Sequence, residues 1–321
     1  MISVIIVNWN GKHHLEVCLN SLCRQTFSDF EIILVDNGSQ DGSVEFVRER
    51  YPKLRLVCLK ENGGFARGNN EGLKVAKGEY IALLNNDTEV DPNWLGELHQ
   101  AMKTHPEAGF AASKLINFFD RSKIDSAGDA FQRCGVGKKR GNLREAERYN
   151  EQELVFGACA GAAIYQKSMI EKIGFFDESF FCLYEDMDLS FRAQLQGYKC
   201  LYVPKAIVYH KVNSTLGAES AFAVYYGQRN LEYVYLKDLP FRLMIKCFPH
   251  HLLYNLLAFS FSLSKGSIRP FLKAKVDVFR TLPETLKKRR SIQRSRRVKE
   301  SYIEAIVEKR WLKERILTKI Q

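Results

Sequence analysis

The chain has 321 residues, a hydrophobic content of 45% and a formal net charge of +11. This length and apolar content support one large folded domain, or one domain with an extension, and exclude a mainly disordered protein. The charge is uneven, because residues 265–321 hold 18 Lys and Arg against 6 Asp and Glu, which leaves residues 1–264 at −1. We therefore expect residues 265–321 to meet a polyanionic surface, either a membrane or a nucleic acid.

The eight cysteines form no CxxC pair, which argues against a zinc site or a redox motif. The chain enters its first predicted strand by residue 3 without a basic segment before it, so we expect no signal peptide. A reducing, cytosolic setting is the simplest fit.

The first 92 residues alternate between apolar runs of period 2 and period 3.6. The pattern predicts strands at 4–7, 32–35, 54–59 and 80–84, with helices around 15–22, 44–47 and 69–76. Such alternation is typical of βαβ units with a parallel sheet. A helix and a strand at 109–112 follow, then polar loops and short strands over 117–156, and a strand at 200–209.

Polar segments follow three of the predicted strands. Asn8 begins one, Asp36 the second, and Asn85-Asn86-Asp87 forms the third. In an open parallel sheet, ligands bind outside the carboxyl ends of the strands, so these side chains should meet at one edge. Asn, Asp and Gly at that edge suit a nucleotide whose diphosphate is bound to a metal.

Taken together, these segments resemble the inverting family 2 glycosyltransferases of the GT-A fold. Within that family the chain is most similar to the rhamnosyltransferase-like members, which build bacterial cell-surface polysaccharides. The resemblance covers roughly residues 1–235 and rests on segments 4–11, 34–43, 61–70, 83–90 and 184–192. It implies an α/β fold with a Rossmann-like, mostly parallel central sheet flanked by helices.

The resemblance implies that Asp36 recognises the nucleotide base. A carboxylate there can accept the imide N–H of uracil or thymine, although an Asp in Asp-Asn-Gly-Ser also suits a turn. Asn62 and Gly64 lie in a glycine-rich turn that opens a helix, where phosphate is attracted and Arg67 could pair with it. A structural helix start is the alternative. The other expected donor-binding residues are Asn8, Asn85 and Asn86.

Asn85-Asn86-Asp87 lies where the family carries its DxD metal motif, with Asn in place of the first carboxylate. Asp87 can still bind Mg²⁺ or Mn²⁺, which favour oxygen ligands. The family pattern also places a His before a short polar loop, here His210 before 211–215. It could ligate the metal or contact the diphosphate, or be structural.

The resemblance assigns the general base to Asp186, with Glu185 as the alternative. Inverting transfer needs one carboxylate to take the proton of the acceptor hydroxyl as it attacks the anomeric carbon. An acidic cluster that only favours a helix start is the structural alternative. Asp188 and Arg229 are expected to contact the acceptor or the diphosphate, and for Arg229 helix packing is equally open.

We expect two domains, a glycosyltransferase domain at 1–235 and a basic, amphipathic helical extension at 236–321. Residues 252–263 are nearly all apolar but fall short of the ~20 residues of a membrane span, so a helix lying in the interface is expected. Basic clusters follow at 287–290 and 294–297, and a further amphipathic helix is predicted over 300–320, including Ile316. Dimerisation through apolar helix faces is the alternative to membrane binding.

The expected function is transfer of rhamnose from dTDP-rhamnose to a lipid-linked saccharide at the inner face of the plasma membrane. A UDP-hexose or UDP-N-acetylhexosamine is the alternative donor. An oxidoreductase on a doubly wound sheet would need GxGxxG after the first strand, which is absent. A membrane- or nucleic-acid-binding protein without catalysis is the remaining alternative, but an acidic strand edge fits nucleic acid poorly.

Overall fold

A computed structural model of the protein describes residues 1–211 and 220–312. Its strands are β1 (Ile2–Asn8), β2 (Phe30–Asp36), β3 (Arg55–Cys58), β4 (Tyr80–Leu84), β5 (Thr88–Val90), β6 (Ala108–Asn117), β7 (Ile124–Ser126), β8 (Asp129–Phe131), β9 (Gly137–Lys139), β10 (Glu153–Val155), β11 (Ala162–Gln166) and β12 (Lys199–His210). Its helices are α1 (Lys12–Cys23), α2 (Ser43–Arg50), α3 (Gly64–Val75), α4 (Trp94–Thr104), α5 (Lys167–Ile173), α6 (Glu185–Leu195), α7 (Ala221–Asp238), α8 (Phe241–Ser264), α9 (Ile268–Arg280), α10 (Leu282–Ser295) and α11 (Glu300–Ile306).

One central sheet has the order β10-β12-β6-β11-β4-β1-β2-β3, with β5 paired to β12 and β7 to β6. The predicted parallel pairing is found for β1 with β2 and β4, and for β2 with β3. β11 lies antiparallel between β4 and β6, so the sheet is mixed. Between β6 and β11 the chain also forms β10, which pairs antiparallel with β12.

Helices cover both faces of the sheet, which explains the nearly continuous apolar run of β1. Val4 and Ile6 point to one face, where α1 and α4 supply Leu15 and Trp94. Ile5 points to the other face and packs with residues of α3, α5 and α6. These alternating faces bury the apolar core and leave polar side chains to the strand ends, as the sequence predicted.

The C-terminal helices pack against the sheet domain through α7, which contacts α6, α9 and α10. The domain boundary expected after residue 235 falls inside α7 (Ala221–Asp238), so this helix runs across it. The division into two domains at that point stays a prediction. Of the helix predicted over 300–320 the structure describes residues up to 312, and within them α11 ends at Ile306. Beyond α11 the backbone N–H of Glu308 donates to the carbonyl of Phe131 in β8, and Trp311 is buried. Residues 313–320, with Ile316, lie outside the described residues.

The basic cluster at 287–290 is divided between two environments. Lys288 lies 2.8 Å from the Asp177 carboxylate and Arg289 donates to the carbonyl of Leu236 at 2.6 Å, so both hold α10 on the protein body. Lys287 and Arg290 are exposed. Among the described residues, no helix is both long enough and apolar enough to cross a membrane.

Candidate active site

The carboxyl ends of β1, β2 and β4 form what we call the strand-end edge, and Asn8 lies at its centre. The Asn8 amide donates to Asp36 Oδ2 and to Ser39 Oγ, both at 3.2 Å. Its Oδ1 accepts from Asn86 Nδ2 at 2.7 Å. Register explains this convergence, because Asn8 pairs directly with Asp36 across the parallel strands. The three predicted polar segments therefore do meet.

Asp36 is buried and both of its carboxylate oxygens have partners. Oδ1 accepts the backbone N–H of Ser39 at 2.9 Å, which is the turn geometry that the sequence offered as an alternative. The turn role is thus present, and recognition of a base by Asp36 remains a proposal.

The glycine-rich segment opens α3 earlier than predicted, at Gly64 instead of residue 69. Asn62 Oδ1 accepts the N–H of Gly64 at 2.9 Å, and Asn37 of the neighbouring segment bonds to both residues. Gly64 has φ +86°, and a Cβ there would lie 2.4 Å from the carbonyl oxygen of Phe181. Only glycine fits this close approach. The early start places Arg67 in the first turn of α3, partly exposed. The N–H groups of Gly63, Gly64 and Ala66 already donate to Asn37, Asn62 and Phe181, so the structural helix start is present and phosphate binding there remains a proposal.

Asp87 and His210 are brought together by a strand pair that the sequence did not predict. β5 runs antiparallel to the end of β12 and pairs Thr88 with His210. His210 Nε2 consequently lies 3.4 Å from Asp87 Oδ1. Asn85 is held beside them, since its N–H donates to the Gly161 carbonyl at 2.9 Å. The polar loop expected after His210 lies, at 212–215, outside the described residues.

Sequence reasoning missed the partners behind His210. Its Nδ1 lies 2.8 Å from Asp125 Oδ2, and Lys139 Nζ lies 2.8 Å from both Asp125 oxygens. Burial lowers the pKa of His210, but its hydrogen bonds to Asp125 and Asp87 outweigh this and raise the pKa to about 9. Asp125 and Lys139 come from segment 117–156, whose weak periodicity gave no signal beyond polar composition.

Asp186 and Glu185, at the start of α6, differ in exposure. Asp186 is partly exposed and accepts the N–H of Ala160 at 3.2 Å and of Met187 at 2.7 Å. Glu185 is buried. Desolvation raises the pKa of Asp186 against these two hydrogen bonds, while burial and the Asp186 charge raise that of Glu185 well above its usual range. The exposed, better-partnered Asp186 is the carboxylate that an acceptor could reach.

Asp129 and Cys159 complete the surroundings of Asp186, and neither was expected. Ligand atoms of Asp129, Cys159 and Asp186 lie within 4.8 Å of one another. Burial and the Asp186 charge raise the pKa of Asp129 well above its usual range. A thiol is a poor ligand for hard cations such as Mg²⁺. The cluster therefore forms the surroundings of Asp186, and β8 supplies Asp129 to it.

The loop at 180–184, just before Asp186, has an unusual backbone. Phe181, Leu183 and Tyr184 all have φ between +64° and +70°, a region that side chains disfavour. Asn230 of α7 is fully buried, and its Nδ2 faces three carbonyls of this loop, those of Phe180, Cys182 and Leu183, at 2.7–2.9 Å. Such strain persists only where surrounding contacts impose it.

Arg229 and Asp188 were expected to contact the acceptor or the diphosphate, but both make contacts within the protein instead. Arg229 Nη2 donates to the carbonyls of Ser179 and Phe180 at 2.7 and 3.0 Å, which matches the packing alternative. Asp188 is fully buried and pairs with Arg192 at 2.8 Å and with Lys237. Its carboxylate is therefore committed to joining α6 with α7. The structure does not bring Asp188 to the strand-end edge.

The carboxylate of Asp87 fits a divalent cation, since oxygen is the ligand atom that Mg²⁺ and Mn²⁺ favour, with water and phosphate filling other positions. An imidazole nitrogen is more typical of softer divalent metals, and His210 would ligate only after losing the proton that its raised pKa retains. The bond from Asp125 to the far nitrogen of His210 is the outer-shell arrangement common to metal-binding histidines.

The mixed sheet flanked by helices, with asparagines and carboxylates at one strand edge, matches solved glycosyltransferase structures of the GT-A type. The chain superposes on Staphylococcus aureus TarS 1-349 in complex with UDP with a TM-score of 0.55, at 20% identity, over 92% of this chain and 90% of that one. GalNAc-T7 with UDP, GalNAc and Mn²⁺ gives 0.58, at 19% identity, over 73% and 48%.

The chain belongs to glycosyl transferase family 2, whose model matches residues 3–174. One relative is the N-acetylglucosaminyl-diphospho-decaprenol L-rhamnosyltransferase of Mycobacterium tuberculosis, 29% identical over 239 residues, which is 67% of this chain and 78% of that protein. Glycosyltransferase GlyG of Streptococcus pneumoniae is 35% identical over 106 residues, 32% of this chain and 35% of GlyG. The protein is a glycosyltransferase, as the residues of the strand-end edge indicated.

Proposed function

We propose that the enzyme transfers rhamnose from dTDP-rhamnose to a lipid-linked saccharide with inversion at the anomeric carbon, and that it needs a divalent metal. The name of the mycobacterial relative supports this sugar and this class of acceptor. The observation that carries the proposal is that a carboxylate–imidazole pair and a partly exposed carboxylate both lie beside the turn that leads into β11. Asn85, in the segment of Asp87, donates to Gly161 at 2.9 Å, and the neighbouring Ala160 donates to Asp186 at 3.2 Å.

The donor would lie across the strand-end edge. Asp36 would exchange its bond from Asn8 for the imide N–H of the base, and the N-terminus of α3 with Arg67 would face the diphosphate. Asn85 and Asn86 would line the space between them. In this pose the anomeric carbon would face Asp186.

Asp186 would then act as the general base. The acceptor hydroxyl oxygen attacks the anomeric carbon, its proton passes to a carboxylate oxygen of Asp186, and the bond to the nucleoside diphosphate breaks. Burial and the charge of Asp186 raise the pKa values of Asp129 and Glu185 well above their usual range, so these two groups would take up a proton more readily than Asp186, whose own pKa is also raised.

Asp87 and His210 would hold Mg²⁺ or Mn²⁺. When bound, the ion supplies positive charge that stabilises the departing diphosphate. Asp125 keeps the His210 ring oriented with Nε2 toward Asp87, and Lys139 in turn fixes Asp125.

UDP-sugars are the second candidate donors. A structural neighbour binds UDP, and uracil offers the same imide N–H to Asp36 as thymine does. The base-reading residue therefore does not separate the two donors, whereas the sugar pocket would.

Thermal stabilisation by a panel of nucleotide sugars, with and without Mn²⁺ or Mg²⁺, tests the proposal. Stabilisation by dTDP-rhamnose that requires the metal and is lost in Asp87→Asn supports it. Stabilisation by UDP-sugars alone keeps the enzyme class and changes the donor. No response to any nucleotide diphosphate would overturn the donor and metal assignments together.

We further propose that the enzyme works in the cytoplasm at the inner face of the plasma membrane, where a lipid-linked acceptor would be presented. Anionic headgroups on that leaflet attract clusters of Lys and Arg.

A further inference from the structure

α8 is apolar almost all around but is buried only along a narrow stripe. The residues that seat it on the protein recur every three or four positions: Leu243, Cys247, His251, Tyr254, Ala258 and Ser262. Its remaining surface exposes large apolar side chains over the whole helix: Phe241, Ile245, Phe248, Leu252, Leu253, Leu256, Leu257, Phe259, Phe261 and Leu263. Over 24 residues this surface is about 36 Å long.

α9 continues the exposed surface with a different composition. Leu272, Val276 and Phe279 are exposed at helical spacing, while Phe271, Ala274 and Val278 face the protein. The exposed cations Arg269, Lys273 and Arg280 alternate with those apolar side chains. We call the exposed apolar residues of α8 and α9 the apolar face. Monomeric proteins seldom expose contiguous apolar surface on this scale without a partner.

Charge decides which partner fits. α8 contains no Asp or Glu, and residues 265–321 carry a net charge of +12. A second copy docked by two-fold symmetry would bring the same positive charge against it, which disfavours a dimer through this face. An anionic bilayer offers an acyl-chain region that can bury the apolar side chains and negative headgroups that attract the Lys and Arg residues.

We propose that the apolar face lies in the headgroup region of an anionic bilayer, with α8 and α9 parallel to its plane. The finding that no described helix could span a membrane agrees with a helix lying in the interface. The proposal deepens the proposed function and rests on it only for the lipid-linked acceptor. α7 contacts α9 and, through Asn230, the 180–184 loop beside Asp186, so it links the apolar face to the candidate active site. The clusters at 287–297 would add attraction at the rim, with Lys288 and Arg289 already committed to the protein.

Flotation of the full chain with vesicles tests the surface directly. Vesicles of phosphatidylcholine are compared with vesicles of phosphatidylcholine and phosphatidylglycerol, using the wild type and the double variant Leu252→Asp/Leu256→Asp. Leu154→Asp is the matched control, since Leu154 on β10 is 56% exposed and Leu256 is 57% exposed. We expect binding to anionic vesicles to weaken at least about tenfold in the double variant and to be unchanged in the control.

Equal vesicle binding by all three proteins would overturn the proposal. The proposal would also be overturned if the wild type did not bind vesicles but formed a dimer, and the double variant were monomeric. That result would assign the apolar face to contact with a second copy. Hydrolysis of nucleotide sugars without lipid is measured in parallel and should be equal in all three. If no donor is hydrolysed by any of them, the proposed function fails while the vesicle result still reports on the apolar face.

Discussion

At the strand-end edge carboxylates are buried, whereas on α8 and α9 large apolar side chains are exposed. Asp36 and Asp87 are 2% and 5% exposed, while Phe241 and Phe279 are 61% and 74% exposed. Both regions reverse the usual distribution of polar and apolar groups in a folded protein.

The two reversals are stabilised differently. Hydrogen bonds within the protein stabilise the buried carboxylates: Asn8 donates to Asp36 at the edge, and Lys139 donates to Asp125 behind His210. Nothing among the described residues covers the apolar face. The buried carboxylates are thus stabilised from within the chain, whereas the proposed stabilisation of the apolar face comes from a lipid surface. Substitutions at the edge should therefore change turnover, and substitutions among the C-terminal helices should change stability or membrane binding.

The largest effect should come from Asp186→Asn, which keeps the shape of the side chain and removes the base. We expect kcat to fall by about a thousandfold, with stabilisation by the donor unchanged. Glu185→Gln is the matched variant and should lose less than about tenfold, because Glu185 is buried. The raised pKa of Asp186 also predicts that kcat/KM falls with decreasing pH at a higher pH than for an ordinary aspartate. A larger loss of kcat in Glu185→Gln than in Asp186→Asn would instead assign the general base to Glu185.

Asn230→Ala should release the strained 180–184 loop and so misplace Asp186. We expect kcat to fall by roughly ten- to a hundredfold with little change in the KM for the donor. Stability should fall by about 1–3 kcal/mol. Asn255→Ala on α8 is the control, because Asn255 also donates to a backbone carbonyl, that of His251. Steady-state kinetics and thermal unfolding of both variants check this. Loss of kcat in both would mean that the effect is global.

Glu232 tests the C-terminal helices alone. It bonds to His251 and Lys275, at 2.8 and 2.6 Å. Burial raises its pKa, but these partners outweigh burial and lower the pKa to about 2. Its stabilisation is thus full above the ordinary pKa of a glutamate, near 4.5, and is lost as the pH falls from there towards 2. Glu232→Gln should cost roughly 3 kcal/mol at neutral pH, a deficit that shrinks through this range. Exposed Glu284→Gln should show neither effect in denaturant titrations.

The smallest effects should separate two adjacent lysines. Lys288→Ala removes one partner of Asp177 and should lower stability by about 1 kcal/mol. Lys287→Ala should leave stability within about 0.5 kcal/mol but weaken binding to anionic vesicles by up to about fivefold. Chemical denaturation and vesicle flotation on both variants measure this contrast. The reverse pattern would place Lys287 in the protein body and Lys288 at the lipid.

The sequence by itself determined the features that depend on neighbours along the chain. Apolar periodicity located β1, β2 and β4, and turn chemistry at their ends located Asn8, Asp36 and Asp87. Asp186 was singled out by the resemblance of segment 184–192 to the family pattern. Period and turn preference are local properties, and the carboxyl ends of parallel strands always share an edge, so the class of fold and the place of the site followed.

Only the tertiary structure decided which distant residues complete the site. The His210–Asp125 bond spans 85 positions and depends on β7, β6 and β12 lying side by side, in a region with little periodicity. Asn230 reaches its loop across 50 positions and Asp188 is drawn into ion pairs, although both stand next to residues expected at the site. The same packing divided the basic cluster between Lys288 and Lys287. Side-chain direction and long-range pairing set these contacts, and neither is encoded in local spacing.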